Sequence, residues 1–311
     1  MRVLAVSPTV PWTQEYALAT SKSFFRYTPN KNCHLFWAAN KCEDELSTAA
    51  LLGTAADGVD RVVIDTTKED RGCGGGWNAG LEYALANDYD EVLFFTNDTL
   101  FSEDWLVNLL SYKKEHPDVG CVSPIWHWIG FPDDIDILDF DKLLDWNDSY
   151  SSQAQQFAKE HWDDALIGLQ GCFFMIPCDV FRELEKSEKD VEPMPGRFDT
   201  ESYPIAYWED ADILMRLWRA GYKARVPHRS CLHHFGAKTL SDEVYHKQAG
   251  TLYLQNQMNF YKKWNILDKV GVQFMCHNSV VAFNSESEVL LPSGVHSVDC
   301  SLGDFLVNRG L

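Results

Sequence analysis

The chain is poor in positive charge: 27 Lys and Arg stand against 46 Asp and Glu in 311 residues, a net charge of −19. That argues against a general affinity for nucleic acid or anionic membrane and leaves room only for a local basic patch. No two cysteines have the C-x-x-C spacing; the nine are scattered from Cys33 to Cys300, which argues against a zinc centre built on thiolates. No stretch approaches the roughly 18 apolar residues expected of a membrane-spanning helix. The opening "MRVLAVSPTV" has too short an apolar run for a secretory leader. The expectation is a cytoplasmic protein with reduced thiols and no transmembrane segment. Internal repeats and low-complexity linkers are lacking too.

What the chain does have is core-forming material, 45% apolar with 13% aromatic, enough for one large domain or two smaller ones. Strand and helix patterns alternate over the first 125 residues. Strands are expected at 2–7, 33–40, 60–65, 91–96 and 119–124, with helices at 14–27, 43–56, 78–86 and after Ser102. Ser102 is expected to cap its helix, with Glu103 and Asp104 in the first turn. This order predicts an α/β fold with a mostly parallel, Rossmann-like central sheet flanked by helices. From Trp126 to Trp162 the chain is acidic and aromatic without strong periodicity, which reads as an insertion. Beyond it come a strand near 166–177, helices from Asp179, from Glu209 and over 250–264, and a β-like tail.

Four stretches bear on chemistry. "VLFFTNDTLF" drives an unbroken apolar strand into Thr96, Asn97, Asp98 and Thr99. Such an ending is either a plain turn or a ligand site, because open α/β sheets bind ligands at the carboxyl ends of their strands. "GCGGGWNAGLEYAL" reads as a flexible loop before a helix, whose glycines permit close approach of backbone to a phosphate or sugar. Gly74, Gly76 and Ala79 also match a loose dinucleotide-binding pattern, so an NAD-dependent enzyme is a rival reading. In "YWEDADILMRLWRAGYKA", Glu209, Asp210 and Asp212 crowd the first turn of an amphipathic helix. They serve either the helix dipole or general-base catalysis, and Asp212 can pair with Arg216 one turn on. "CLHHFGAKTL" sets His233 and His234 side by side at the end of an expected strand, where alternation sends them to opposite faces.

In this order these stretches resemble the inverting glycosyltransferases of family 2, which have the GT-A fold, and most nearly the rhamnosyltransferase-like members. The resemblance spans 2–264. It rests on "GWNAGLEYAL", "DEVLFFTNDTLFSEDWL", "GCFFMIPCDVF", "GRFDTESYPIAYWEDADILMRLWRAGYKA", "LHHFG" and "NFYKKW". It implies that Asp98 holds a divalent cation, Mn²⁺ or Mg²⁺, bridging the diphosphate of a sugar nucleotide, with His233 as the better match to His-x-x-Gly and His234 as the second choice. It implies that Asp210 is the catalytic base, that Glu209 and Asp212 support it, and that Pro8, Thr9, Asn40, Gly76, Asn78 and Asn97 line the donor. Thr96 and Asn40 stand where the family often has acids. The implied reaction moves a sugar, hexosyl or deoxyhexosyl, to an acceptor hydroxyl on a glycan. Residues 1–125 would form the nucleotide-sugar half, 126–265 the acceptor and catalytic half, and 266–311 a β-like extension. The third reading is a catalytically silent sugar-nucleotide-binding protein.

Overall fold

The computed structural model describes residues 1–42, 61–127, 135–161, 165–167, 169, 171–236, 238–241, 243–264, 272–275, 279–283 and 289–290. The helix expected at 43–56 lies outside them. The first four strands of the sheet are β1 (Val3–Thr9), β2 (Cys33–Ala39), β3 (Val62–Thr66) and β4 (Glu91–Phe95). β5 (Thr99–Leu100) and β7 (Ile125–His127) lie outside that sheet, and β6 (Val119–Val122), β8 (Ala165–Ile167), β9 (Phe173–Pro177) and β10 (Lys223–Pro227) complete it. The eight strands run in the order β3-β2-β1-β4-β9-β6-β10-β8. Only β9 and β8 run against the others, so the sheet is mostly parallel, as the alternating pattern predicts.

Both faces of the sheet are covered, which explains the absence of hydrophobic alternation in "VLFF". Val92 and Phe94 belong to one core layer with Leu4, Val6, Phe36, Trp77 and Phe174. Leu93 and Phe95 belong to the other with Val3, Ala5, Leu35, Trp37 and Phe173. Helices α1 (Gln14–Tyr27) and α3 (Trp105–Glu115) pack on the second layer; α2 (Gly72–Ala86), α5 (Cys178–Ser187) and α6 (Glu209–Arg219) pack on the first.

Three local expectations are corrected. The glycines of "GCGGG" are the first turn of α2, not a loop, because the helix must lie against β1. A Cβ on Gly76 would stand 2.8 Å from that of Pro8, and one on Gly80 would stand 2.2 Å from Cγ1 of Val6. Ser102 does not cap α3: its hydroxyl donates to the Cys231 carbonyl, and Asp104, with φ 57°, is the residue preceding the helix. The acidic insertion contains a long helix, α4 (Phe140–His161). It buries Leu143, Leu144, Tyr150 and Ala154.

A small second sheet decides the geometry of the site. β11 (Cys231–His234) pairs antiparallel with β5 and parallel with β7, setting His234 opposite Thr99 and His233 opposite Leu100. Helix α7 (Glu243–Lys263) follows, and β12 (Val272–Met275), β13 (Ser279–Phe283) and β14 (Val289–Leu290) pair as a separate antiparallel sheet. Among the described residues no helix is long and apolar enough to cross a membrane.

Candidate active site

One wall begins at the carboxyl end of β4. Asp98 is 2% exposed and its two oxygens are divided between two partners: Oδ1 lies 3.1 Å from Nε2 of His234, and Oδ2 accepts the Lys238 amide at 3.1 Å. Burial by itself would raise the Asp98 pKa. The His234 charge and hydrogen bond, with the Lys238 amide and Thr96, outweigh it and hold the group at about 2. His234 shows the reciprocal effect: burial opposes its protonation, but Asp98 beside it raises its pKa well above the ordinary value. Asp98 is therefore a buried, ionised carboxylate, the state a cation ligand requires.

The register of β11 separates the two histidines. His233, the better motif match, faces away from Asp98 into an aromatic wall, 4.6 Å from the Trp146 ring and 4.9 Å from Phe235 between centroids. His234 is the one at the site. Asn97 also turns inward, its Nδ2 donating to Thr9 at 2.9 Å and to Thr13 at 2.5 Å, so it ties the end of β1 to this turn.

The opposite wall is the start of α6. Ile205, Tyr207 and Trp208, none of them glycine, hold positive φ of 69°, 74° and 81°. Such a cluster is strained and survives only when its surroundings enforce it. Here Asn256 of α7 donates to the carbonyls of Ala206 at 3.0 Å and Tyr207 at 3.2 Å, and the Cys73 amide donates to the Ile205 carbonyl at 2.5 Å. Gly72 is required at this contact, because at φ 67° a Cβ would meet the Ile205 backbone at 2.5 Å.

This turn delivers Glu209 and Asp210 side by side, 4% and 5% exposed. Burial raises both pKa values, and the Asp210 charge raises Glu209 further. Asp210 Oδ1 accepts the Ala211 amide at 2.7 Å. Glu209 Oε2 is buried with no hydrogen-bond partner among the described residues. A buried unpaired oxygen of this kind calls for an explanation in function or in a missing partner. Cys73, whose amide meets the strained turn, has a thiol pushed up by burial and then by the charges of Glu209, Asp210 and, more weakly, Asp98. The first turn of α2 links the two walls: a Cβ on Gly74 would stand 3.6 Å from that of Glu209, and Gly76 faces Pro8 of β1, the strand beside β4.

Several expected site residues are engaged elsewhere. Asn78 brackets Phe198, donating to its carbonyl and accepting its amide at 2.8 Å each. Asn40 donates to the Gly72 carbonyl at 3.2 Å and accepts from Arg71 at 2.9 Å. Pro8 and Gly76 pack on each other, and Thr9 accepts from Asn97. The contacts described for these six residues are with protein groups. Asp212 is fully buried and belongs to a separate group. It accepts from Trp264 at 2.9 Å and pairs with Lys263; Arg216, its expected partner, stands 3.7 Å away and binds Glu188 more closely, at 2.8 Å.

Glu192, Asp199 and Asp212 bring carboxylate oxygens within 4.8 Å of one another, a spacing that would suit a metal. The Lys263 ammonium occupies that position, 2.5, 3.1 and 2.9 Å from the three. Sequence reasoning missed Lys263, Cys73 and Asn256. "NFYKKW" and "GCGGG" contain the first two, but nothing local assigns them a partner.

No family model matches the chain, and no curated protein matches it significantly. Solved structures do, and 254 chains are similar in fold. A mannosyltransferase from Pyrobaculum calidifontis, solved with GDP-Man and Mn²⁺, superposes over 85% of this chain and 63% of its own, with a TM-score of 0.52 and 16% identity. GalNAc-T7, solved with UDP, GalNAc and Mn²⁺, superposes over 85% of this chain and 48% of its own, with a TM-score of 0.56 and 14% identity. The chain has the GT-A fold. It spans less than two thirds of either neighbour's length, and at such identities the likeness concerns the GT-A architecture alone.

Proposed function

We propose that the chain is a metal-dependent inverting glycosyltransferase that moves a sugar from a nucleotide diphosphate sugar to an acceptor hydroxyl on a glycan. The observation that carries this reading is an ionised Asp98 beside His234 and a Glu209–Asp210 pair of raised pKa, bridged by the first turn of α2 on a GT-A frame. The two acidic centres are held in opposite protonation tendencies by their surroundings. That division is expected where one acid binds a cation and another accepts a proton.

Asp98 would hold a divalent cation through a carboxylate oxygen, and His234 would join through its imidazole nitrogen once the cation displaces its proton; diphosphate and water would complete the shell. When bound, Mn²⁺ or Mg²⁺ would neutralise charge on the departing diphosphate. The Mn²⁺ in both neighbours' structures supports a divalent cation as the cofactor. The Lys238 amide, bound to Oδ2, fixes the orientation of the Asp98 carboxylate. Asp210 keeps Oδ1 on the Ala211 amide, which fixes the carboxylate. Oδ2 then takes the acceptor's hydroxyl proton as that oxygen attacks the anomeric carbon and the nucleotide diphosphate leaves. Burial raises the pKa of Asp210 toward the working range, and the Asp210 charge raises that of Glu209 further, so the pair favours a single negative charge. Residues 1–125 bind the donor in this reading, and 126–265 the acceptor.

The test is a panel of sugar nucleotides, hexosyl and deoxyhexosyl, assayed for Mn²⁺-dependent binding, hydrolysis and transfer, with the product's anomeric configuration read by NMR. Metal-dependent turnover with inversion is expected. Retention would overturn the inverting step. Saturable binding without any turnover would favour a silent binding protein. Metal-independent binding of NAD in place of a sugar nucleotide would overturn the whole reading.

A further inference from the structure

We propose that Lys263 is a positioning residue for the catalytic turn, a tethered cation that locks three chain segments into the geometry presenting Glu209 and Asp210. The proposal rests on the glycosyltransferase reading for its catalytic consequence, but not for its structural content. Lys263 ends α7, and its ammonium meets one carboxylate from each of three places: Glu192 in the loop after α5, Asp199 in the loop entering the strained turn, and Asp212 in the first turn of α6. Asp199 also accepts the Ser202 amide at 2.9 Å, which shapes the chain only a few residues before Ile205. Asp212 stands two residues beyond Asp210 and also accepts from Trp264 at 2.9 Å and from Tyr203 at 3.3 Å. The strained turn is therefore clamped at both ends through one side chain, while Asn256, on the same helix, holds its middle.

Charge shows why the clamp needs a cation. Glu188, Glu192, Asp199 and Asp212 form a buried group faced by Arg216, Arg219 and Lys263. Removing Lys263 leaves four carboxylates against two cations, and Arg216 and Arg219 are committed to Glu188 and Glu192. Asp199 and Asp212 would then repel each other across the space left behind, and the turn between them would lose its reason to stay strained.

The experiment uses the full chain with Lys263→Ala, and Lys263→Arg as the charge-preserving control. Hydrogen exchange is followed on peptides covering 199–213, with and without propylammonium, which replaces the missing amine. Exchange in this segment is expected to rise about tenfold in Lys263→Ala, to be restored by propylammonium, and to change little in the sheet. With a donor in hand, kcat is expected to fall about a hundredfold while donor KM stays nearly constant, with Lys263→Arg recovering part of the rate. Unchanged exchange in 199–213 overturns the proposal, as does a rate loss confined to KM. If Lys263→Ala does not fold, Lys263→Met with Asp199→Asn removes one charge of each sign and is measured the same way. Failure of the wild-type chain to turn over any donor would sink the functional reading and leave the exchange result to decide the clamp.

Discussion

Asp98 and Asp210 are both buried carboxylates, yet their surroundings drive them in opposite directions, and each difference is measurable. Asp98→Ala is expected to abolish Mn²⁺-dependent nucleotide binding, read by calorimetry. It also removes an ion pair with its own pH signature. Asp98's depressed pKa stabilises the fold above 3.8, an effect lost as pH falls through about 2; His234's raised pKa stabilises it below 6.5, an effect lost as pH rises through the folded value. The loss of melting temperature in Asp98→Ala is therefore largest between those two ordinary values and shrinks on either side. Asp210→Asn is expected to bind donor normally and to lose transfer by about a hundred- to ten-thousandfold. The raised pKa of Asp210 means that ionising it costs folding energy as pH rises through and above the ordinary carboxylate range. The variant should thus gain in melting temperature relative to wild type as the buffer goes from mildly acid to mildly alkaline. The wild-type rate should rise over that same interval, with its acid limb well above the usual carboxylate range.

At the level of elements, the segment from Ile205 to Trp208 is where local preference and the fold disagree. An aliphatic and two aromatic residues occupy left-handed φ that such side chains avoid, and only tertiary contacts keep them there. Asn256→Ala removes donors to the Ala206 and Tyr207 carbonyls together. Leaving those groups unpaired is expected to cost about 1–3 kcal/mol, measured by urea denaturation, with a fall in kcat as the acids lose alignment. Full activity in a destabilised Asn256→Ala variant would separate the turn's strain from catalysis. Helix α2 makes the complementary point. Its glycines look like a ligand loop in sequence, but Gly76 and Gly80 are small so that a helix can touch a strand.

Across the whole molecule, stability resides in the two aromatic layers of the sheet rather than in the site. The ring of Phe94 meets those of Phe198, Phe174, Phe181 and Trp77 at centroid distances of 4.9, 5.3, 5.6 and 6.0 Å. Phe94→Ala should cost about 3–5 kcal/mol through lost burial and the cavity left behind. Val107, 61% exposed on α3, offers the contrast: Val107→Ala should stay within about 0.5 kcal/mol of wild type. Equal losses in the two chemical-denaturation curves would refute this division between core and surface.

The sequence by itself determined the alternation of strands and helices, the two-faced burial of β4, the ending of that strand on Asp98 and the acidic first turn of α6. Each is written in a few neighbouring residues, through hydrophobic period, turn chemistry or the helix dipole. Tertiary structure decided the rest. Alternation in "LHHFG" says that the two histidines part company; only the pairing of His234 with Thr99 across β5 and β11 says which one meets Asp98, because a one-residue slip in register exchanges the faces. The start of α2 at Gly72 depends on contact with Pro8, Val6 and Ile205, so its local glycine content pointed the other way. Lys263 reaches Asp199 across 64 residues and Asp212 across 51. A lysine in "NFYKKW" carries no mark of that destination, since an ammonium finds its carboxylates only after the chain has folded them together.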